Sequence, residues 1–412
     1  MELLYHLSQT FNSSLDLTEV LNLVMDQVIA VMNAERGFVM LLDEEGKLTF
    51  PVARGIDQVT ITEPRFQVSR SVVEQVSRSG QPMLISDAQL DPRFSARQSI
   101  AILGLRAILC VPLIFKDRIL GVIFIDNRIQ AGIFSPSDME LLTAIASSAA
   151  AAIENARLYQ LAVEKGRLER ELQMARQVQV SMLPSQTPHI PGWEIAAFWQ
   201  PARQVAGDYY DFVQFPDGQL GMIIADVSDK GMAAALFMAT TRSIMRASLV
   251  QTTTLSDGMT QANRLLCNES TNSTFVTLFC ARLNPKNGEI TYVNAGHNPP
   301  IYYQNRSQGG AGQVVTLGRT GMAMGVDPEL VYKEQVLRMR SDDFILFYTD
   351  GVTDENNEQG QLYGTDRLVS LLHELHTASA QDILAGIEAS VHTFSGQSSP
   401  FDDITMILVK RV

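Results

Sequence analysis

Two apolar runs in this chain end on an aspartate and a third begins on a pair of them, and a carboxylate at the end of a buried strand restricts the possible folds sharply. LGMIIAD (Leu220 to Asp226) reads as a strand of near-continuous apolar residues. SDKGMAAALFMATTRSIMRA, which follows, reads as a helix with Ser228 or Asp229 available as its cap. DFILFYTD ends in the same way on Asp350, with Gly351 making the turn, and FDDITMILVKRV places Asp402 and Asp403 immediately before the strand ITMILV. If that last strand runs antiparallel to the other two, its N-terminal end lies beside their C-terminal ends. Asp226, Asp350 and Asp402 then meet at one rim, and a short hairpin from GDYYDF, which carries Asp208 and Asp211, brings Asp208 near them. Four carboxylates without a local Arg or His repel one another, and a buried one is costly unless it binds a cation. An all-oxygen donor set favours Mg2+ or Mn2+ over Zn2+. Two such ions about 3.5–4 Å apart, sharing one aspartate, would present a water for phosphoryl transfer.

Composition excludes other classes. The chain has 412 residues, 46% hydrophobic and 19% charged, enough for two or three domains with ordinary cores. A formal charge of −13 argues against nucleic acid or an anionic membrane as the main partner. Cys110, Cys267 and Cys280 are far apart, form no CxxC and lie in apolar sequence, so buried thiols in a reducing compartment are expected. MELLYHLSQT has no basic segment leading into a long apolar core, so no signal peptide and a cytoplasmic location are expected. The most apolar stretch, AILGLRAILCVPLIFKDRILGVIFI, is interrupted by Arg106 and by Lys116, Asp117 and Arg118, and reads as two strands and a turn, not a membrane span.

The N-terminal part alternates helix and hairpin. Leu17, Val20, Leu21, Val24, Val28, Val31 and Met32 recur at helical spacing, and RGFVMLLDEEGKLTFPVA is a hairpin turning at Glu45-Gly46. Ser71 to Arg78 reads as a short helix with Ser71 and Glu74 in capping-box spacing. QPMLISDAQLDPRF is a strand and a loop, and RAILCVPLIFKDRILGVIFIDN is a second hairpin. FSPSDMELL opens a helix with Ser135 as cap, Pro136 first and Asp138 three beyond the cap. From Asn155 onward Leu161, Leu168, Ala175 and Met182 fall seven apart, the spacing of a narrow coiled-coil seam. An unbroken helix from Pro136 to Met182 would be roughly 70 Å long. Pro184, Pro188 and Pro191 then stop it.

Two family resemblances follow. GDYYD, ADVSDKG, NAGHNPP, YTDGVTD and DDIT occur in the order and spacing of the bacterial PPM (PP2C-like) serine/threonine phosphatases of the RsbU/SpoIIE group, over roughly residues 193–412. SGQPMLISDAQLDPRF, LCVPL and GVIFIDN, within that element order, resemble a GAF domain over roughly 12–158. Together they imply an α/β multidomain (α+β) architecture: a GAF sensory domain at 12–158, a helical coiled-coil linker at 159–190 and an αββα PP2C-like sandwich at 191–412. The phosphatase resemblance implies two divalent cations, Mn2+ or Mg2+. Asp226 would bridge both, with the Val227 carbonyl where the eukaryotic branch has a glycine carbonyl. Asp350 and Asp402 would complete one site, and Asp208 the other partly through water. Asp403 is the neighbouring alternative to Asp402, and matching DDIT to the family pattern favours Asp402. Asp208 and Asp226 are the expected catalytic carboxylates. The phosphate-binding Arg of the eukaryotic branch has no counterpart here, and Lys230 and Arg203 are the basic residues nearest the aspartates in sequence. His297 reads as a turn histidine bonding backbone, and Met222, Met232, Met238 and Met245 as core filling.

The function these features imply is a GAF-regulated, metal-dependent protein serine/threonine phosphatase. The resemblance implies a phosphorylated STAS-domain protein, an anti-sigma-factor antagonist, as substrate in a partner-switching pathway. It is consistent with a parallel homodimer through the GAF domain and linker. The GAF ligand is unspecified: Cys110 is followed by Val111-Pro112, not the His common after bilin-attaching cysteines. A non-catalytic scaffold with a decayed phosphatase fold is the alternative class, and the complete aspartate set argues against it. A two-metal enzyme on cyclic nucleotides is a second alternative, disfavoured by NAGHNPP and DDIT.

Overall fold

A computed structural model describes residues 2–57, 59–61, 63, 68–92, 103–270, 274–305, 312–396 and 400–412. The chain divides into two compact units, Met1–Leu168 and Glu169–Val412.

The first unit is built on an antiparallel sheet of β1 (Arg36–Leu42), β2 (Leu48–Gly55), β3 (Met83–Ile85), β4 (Ala107–Phe115) and β5 (Arg118–Asn127), in the order β2-β1-β5-β4-β3. Helices α1 (Glu2–Phe11), α2 (Leu17–Met32) and the start of α4 (Pro136–Met182) share one core with it. Helix α3 (Arg70–Ser79) packs into the other. Asp16 caps α2 by accepting from Glu19 N, and Ser135 and Asp138 exchange bonds ahead of α4. Two expectations are corrected: α1 lies ahead of the first helix read from sequence, and α3 begins after Ser69, leaving Ser71 inside the helix without a cap bond. The turn between β4 and β5 uses Lys116 and Asp117 in the left-handed region. Arg93 and Phe94 of the loop after β3 lie outside the described residues.

The second unit is an αββα sandwich. One sheet runs β13-β10-β9-β8-β7 and the facing sheet β12-β11-β14-β15-β6. The strands nearest the site are β6 (Trp193–Gln200), β7 (Tyr209–Gln214), β8 (Leu220–Val227), β9 (Val276–Asn284), β10 (Glu289–Ala295), β11 (Ile301–Gln304), β14 (Phe344–Tyr348) and β15 (Ile404–Arg411). Short strands β12 (Gln313–Thr316) and β13 (Gln335–Arg338) form the edges. Helices α5 (Met232–Gln251) and α6 (Leu255–Glu269) cover the first sheet, and α7 (Thr365–Leu375) and α8 (Ala380–Ser395) the second.

Side chains alternate across each strand. On β8, Ile223, Ala225 and Val227 pack toward the helices, whereas Met222 and Ile224 join the layer between the sheets. Phe279 bridges that layer, 5.3 Å from Tyr292 and 5.1 Å from Phe347 by ring centroid. Strand β8 is buried on both faces, which is why it reads as a continuous apolar run. Met222, Met238 and Met245 are core residues, but Met232 is 42% exposed at the first position of α5. Cys110 and Cys280 are buried and Cys267 half-buried, all as free thiols. Residues 306–311, between β11 and β12, lie outside the described residues.

Candidate active site

Strand β15 pairs antiparallel with β14, Tyr348 opposite Met406, but β8 belongs to the facing sheet. The carboxylates therefore approach one another across the sandwich, and not along one sheet as the sequence suggested. Asp226 is the seventh residue of β8, on the inter-sheet side with Met222 and Ile224. β7 and β8 form a hairpin with Tyr209 opposite Ala225, which sets Asp208 beside the end of β8. Asp208 is 2% exposed, and its Oδ2 accepts from Thr405 Oγ1 at 2.8 Å. Asp350 opens a single 3-10 turn, Asp350–Val352, after β14. That turn needs glycine at its second position, because a Cβ on Gly351 would lie 2.0 Å from Asp403 O. Gly207 is close to the end of β8 to a lesser degree: a Cβ there would lie 3.1 Å from Val227 O.

Electrostatics links the group. Burial, then the charges of Asp226 and Asp403, raises the Asp208 carboxyl well above the usual carboxylate range. Burial, then Asp350 and Asp402, pushes Asp226 up to about 7. Asp350 is raised by burial, Asp402 and Asp354, with Lys230 opposing. Asp402 Oδ2 pairs with Lys230 Nζ at 2.8 Å, while Lys230 also donates to Phe401 O and lies 4.7 Å from the Phe401 ring centroid. Asp403 faces backbone: its two oxygens accept from Ala202 N and Gly207 N, each at 2.8 Å.

Among the described residues no three His, Cys, Asp or Glu side chains stand close enough as placed to enclose an ion. The chemistry of the donors nevertheless fits a hard divalent cation: adjacent buried carboxylates raise one another's pKa, and such a cation removes that cost. Asp208, Asp226, Asp350, Asp402 and the Val227 carbonyl are the groups that would hold it.

The structure turns Asp211 away from the rim and corrects the expected cap of α5. Asp211 lies three residues after Asp208, so its side chain takes the opposite face of the hairpin; it is bound by Arg246 at 2.7 Å, with Arg242 at 3.4 Å, both from α5. Its distance from the rim was readable from period-two alternation alone. Neither Ser228 nor Asp229 caps α5: Gly231 does, at φ +86°, and Ser228 instead exchanges bonds with Phe275. His297 is 1% exposed; its Nδ1 bonds the hydroxyl of Thr277 at 2.9 Å, and the imidazole also bonds backbone of Tyr348 and Thr277. Arg203 is exposed. Sequence reasoning missed Thr405, which donates to Asp208, and Gln179, taken up below; isolated polar residues carry no spacing signal.

Comparison with known proteins points the same way. The family model described as Stage II sporulation protein E (SpoIIE) matches residues 216–412, and the GAF domain model matches 16–153. Phosphoserine phosphatase RsbU of Bacillus subtilis is 30% identical over 244 residues, 59% of this chain and 71% of RsbU. Protein IcfG of Synechocystis sp. is 32% identical over 268 residues, 58% of this chain but 41% of IcfG, so the chain spans less than half of that relative. The SiaA-PP2C domain of Pseudomonas aeruginosa superposes with a TM-score of 0.53 at 17% identity, covering 61% of this chain and 99% of that domain, a likeness of fold.

Proposed function

The chain belongs to the RsbU/SpoIIE family of PP2C-like protein serine/threonine phosphatases and carries a GAF domain, and from that premise we propose a two-cation hydrolase of phosphoserine or phosphothreonine on a partner protein. What supports this reading most is the mutual electrostatic influence of Asp208, Asp226, Asp350 and Asp402, drawn from three separate segments. Such cations, Mn2+ or Mg2+, polarise a phosphoryl oxygen and activate water at neutral pH. Asp226 would be shared by both cations together with the neighbouring Val227 carbonyl; Asp350 and Asp402 would complete one site, and Asp208 the other. The commitment of Asp403 to two backbone amides favours Asp402 as the ligand and gives Asp403 the role of holding the 202–207 loop. Lys230, half-exposed on Asp402, is the basic group available to an incoming phosphate.

The substrate proposed is a phosphorylated STAS-domain protein, an anti-sigma-factor antagonist, in a partner-switching pathway. The domain boundaries proposed are 12–158, 159–190 and 191–412. The GAF domain regulates turnover through α4, as a parallel homodimer. No described helix is long and apolar enough to cross a membrane.

The full chain carrying Asp226→Asn, used as bait in lysate of the source organism, should retain a phosphoprotein. Wild-type chain with Mn2+ should then release phosphate from its serine or threonine. Hydrolysis of cyclic nucleotides without release from any phosphoprotein would overturn the reading.

A further inference from the structure

Beyond Ala156, helix α4 is exposed or half-exposed at every position but one, Gln179, which is 4% exposed. A buried primary amide is costly unless both its ends are bonded. Here both are, and to a single residue: Ala206 N donates to Gln179 Oε1 at 3.0 Å, and Gln179 Nε2 donates to Ala206 O at 2.7 Å. A reciprocal pair of this kind is what a neighbouring strand would supply. Val205, Ala206 and Asp208 are buried just ahead of β7, where the ladder to β8 starts only at Tyr209, so the side chain of Gln179 satisfies backbone groups that no strand reaches.

The loop is gripped from its other side by Asp403, through Ala202 N and Gly207 N. The next residue is Asp208, whose backbone carbonyl accepts from Trp199 Nε1 at 3.1 Å. Gly207 at the same time packs closely on the Val227 carbonyl, where an added Cβ would lie 3.1 Å from the oxygen. The position of Ala206 thus sets where Asp208 stands relative to Asp226 and Val227.

We propose that Gln179 is a positioning residue for the metal centre: its amide, carried by the end of α4, fixes Ala206 and through it the Asp208 carboxylate. The proposal rests on the reading of Asp208 as a metal-holding carboxylate. It also gives α4 a definite lever. Gln179 lies three residues before Met182, where the helix ends, and one residue of helix corresponds to about 1.5 Å of rise and about 100° of rotation, so a slip of that size breaks both bonds.

The test uses the full chain with Gln179→Glu, which sets an acceptor against the Ala206 carbonyl, and Gln179→Leu, which removes both bonds. Mn2+ titration calorimetry should show affinity weakened about 10- to 100-fold in both, the range for lost support of a metal-holding group. Turnover of p-nitrophenyl phosphate should return to within a few-fold of wild type at saturating Mn2+. A structural role alone would lower the thermal midpoint and leave Mn2+ affinity unchanged, and that result in whichever variant folds overturns the proposal. Asp208→Asn is titrated in parallel. If it binds Mn2+ more weakly while the Gln179 variants bind as wild type, only the present inference fails. If Asp208→Asn itself binds as wild type, the reading of Asp208 fails and this inference with it.

Discussion

His297 lies beside Thr277, the residue paired directly across from Asp226, and yet the chemistry of its surroundings keeps it neutral. Burial is the main cause that pushes its imidazole down from 6.5 to about 4, and the charge of Arg319 adds to it. Between those values the unfolded chain binds more protons than the folded one, so stability falls as pH falls, by roughly 2 kcal/mol at pH 5. The raised carboxyls of Asp208 and Asp226 act in the opposite direction, so the effect is read as a difference between proteins. Thermal unfolding from pH 7.5 to pH 5 should lower the midpoint of wild type more than that of His297→Gln. Parallel curves would mean that His297 is not the buried neutral group described. Gly351 is a second residue whose role depends on its surroundings. It is conspicuous in YTDGVTD as a turn residue, but only the structure reveals that its missing Cβ lets the Asp350 turn touch the Asp403 backbone.

At the level of elements, strands with strong apolar patterning were legible, and their ends carried the site. β8, β14 and β15 stand where LGMIIAD, DFILFY and ITMILV put them, and α4 runs unbroken from Pro136 to Met182. Sheet membership was not legible, because an apolar run buried on both faces does not announce its neighbours; that is why β8 was expected beside β15 and stands opposite it. Caps were misread for a local reason. Ser228 and Asp229 have the right chemistry, but the chain after β8 bends through a left-handed Asp229 and Gly231 before α5 starts. Register at the head of β15 separates Asp402 from Asp403. Asp402→Ala should weaken Mn2+ binding at least about 10-fold, whereas Asp403→Ala should mainly destabilise the 202–207 loop, by about 1–3 kcal/mol for two amides left without their acceptor. Calorimetric titration with Mn2+ and thermal unfolding of both variants measure this, and the reverse ranking would shift the ligand by one residue.

For the whole molecule, α4 leaves Leu161, Leu168, Met174 and Val178 each more than half exposed. Of these, Leu161 and Leu168 belong to the seven-residue seam of Leu161, Leu168, Ala175 and Met182, and their exposure supports the proposed pairing with a second copy. Leu168→Glu should shift the chain from dimer toward monomer in sedimentation and change phosphoprotein turnover more than Mn2+ affinity. An unchanged dimer with unchanged turnover would leave α4 a passive spacer. Asp208, Asp226, Asp350 and Asp402 come from segments nearly 200 residues apart in sequence and influence one another only in the folded sandwich. The most direct measurement is Mn2+-dependent hydrolysis of p-nitrophenyl phosphate by the full chain and by Asp226→Asn. Wild type should be active with Mn2+ and inactive in EDTA, regaining activity when Mn2+ is returned. Asp226→Asn should lose at least about 100-fold at every Mn2+ concentration, because several kcal/mol of metal-assisted catalysis would depend on the carboxylate proposed to be shared by both cations. Activity that persists in EDTA, or survives in Asp226→Asn, would contradict the account.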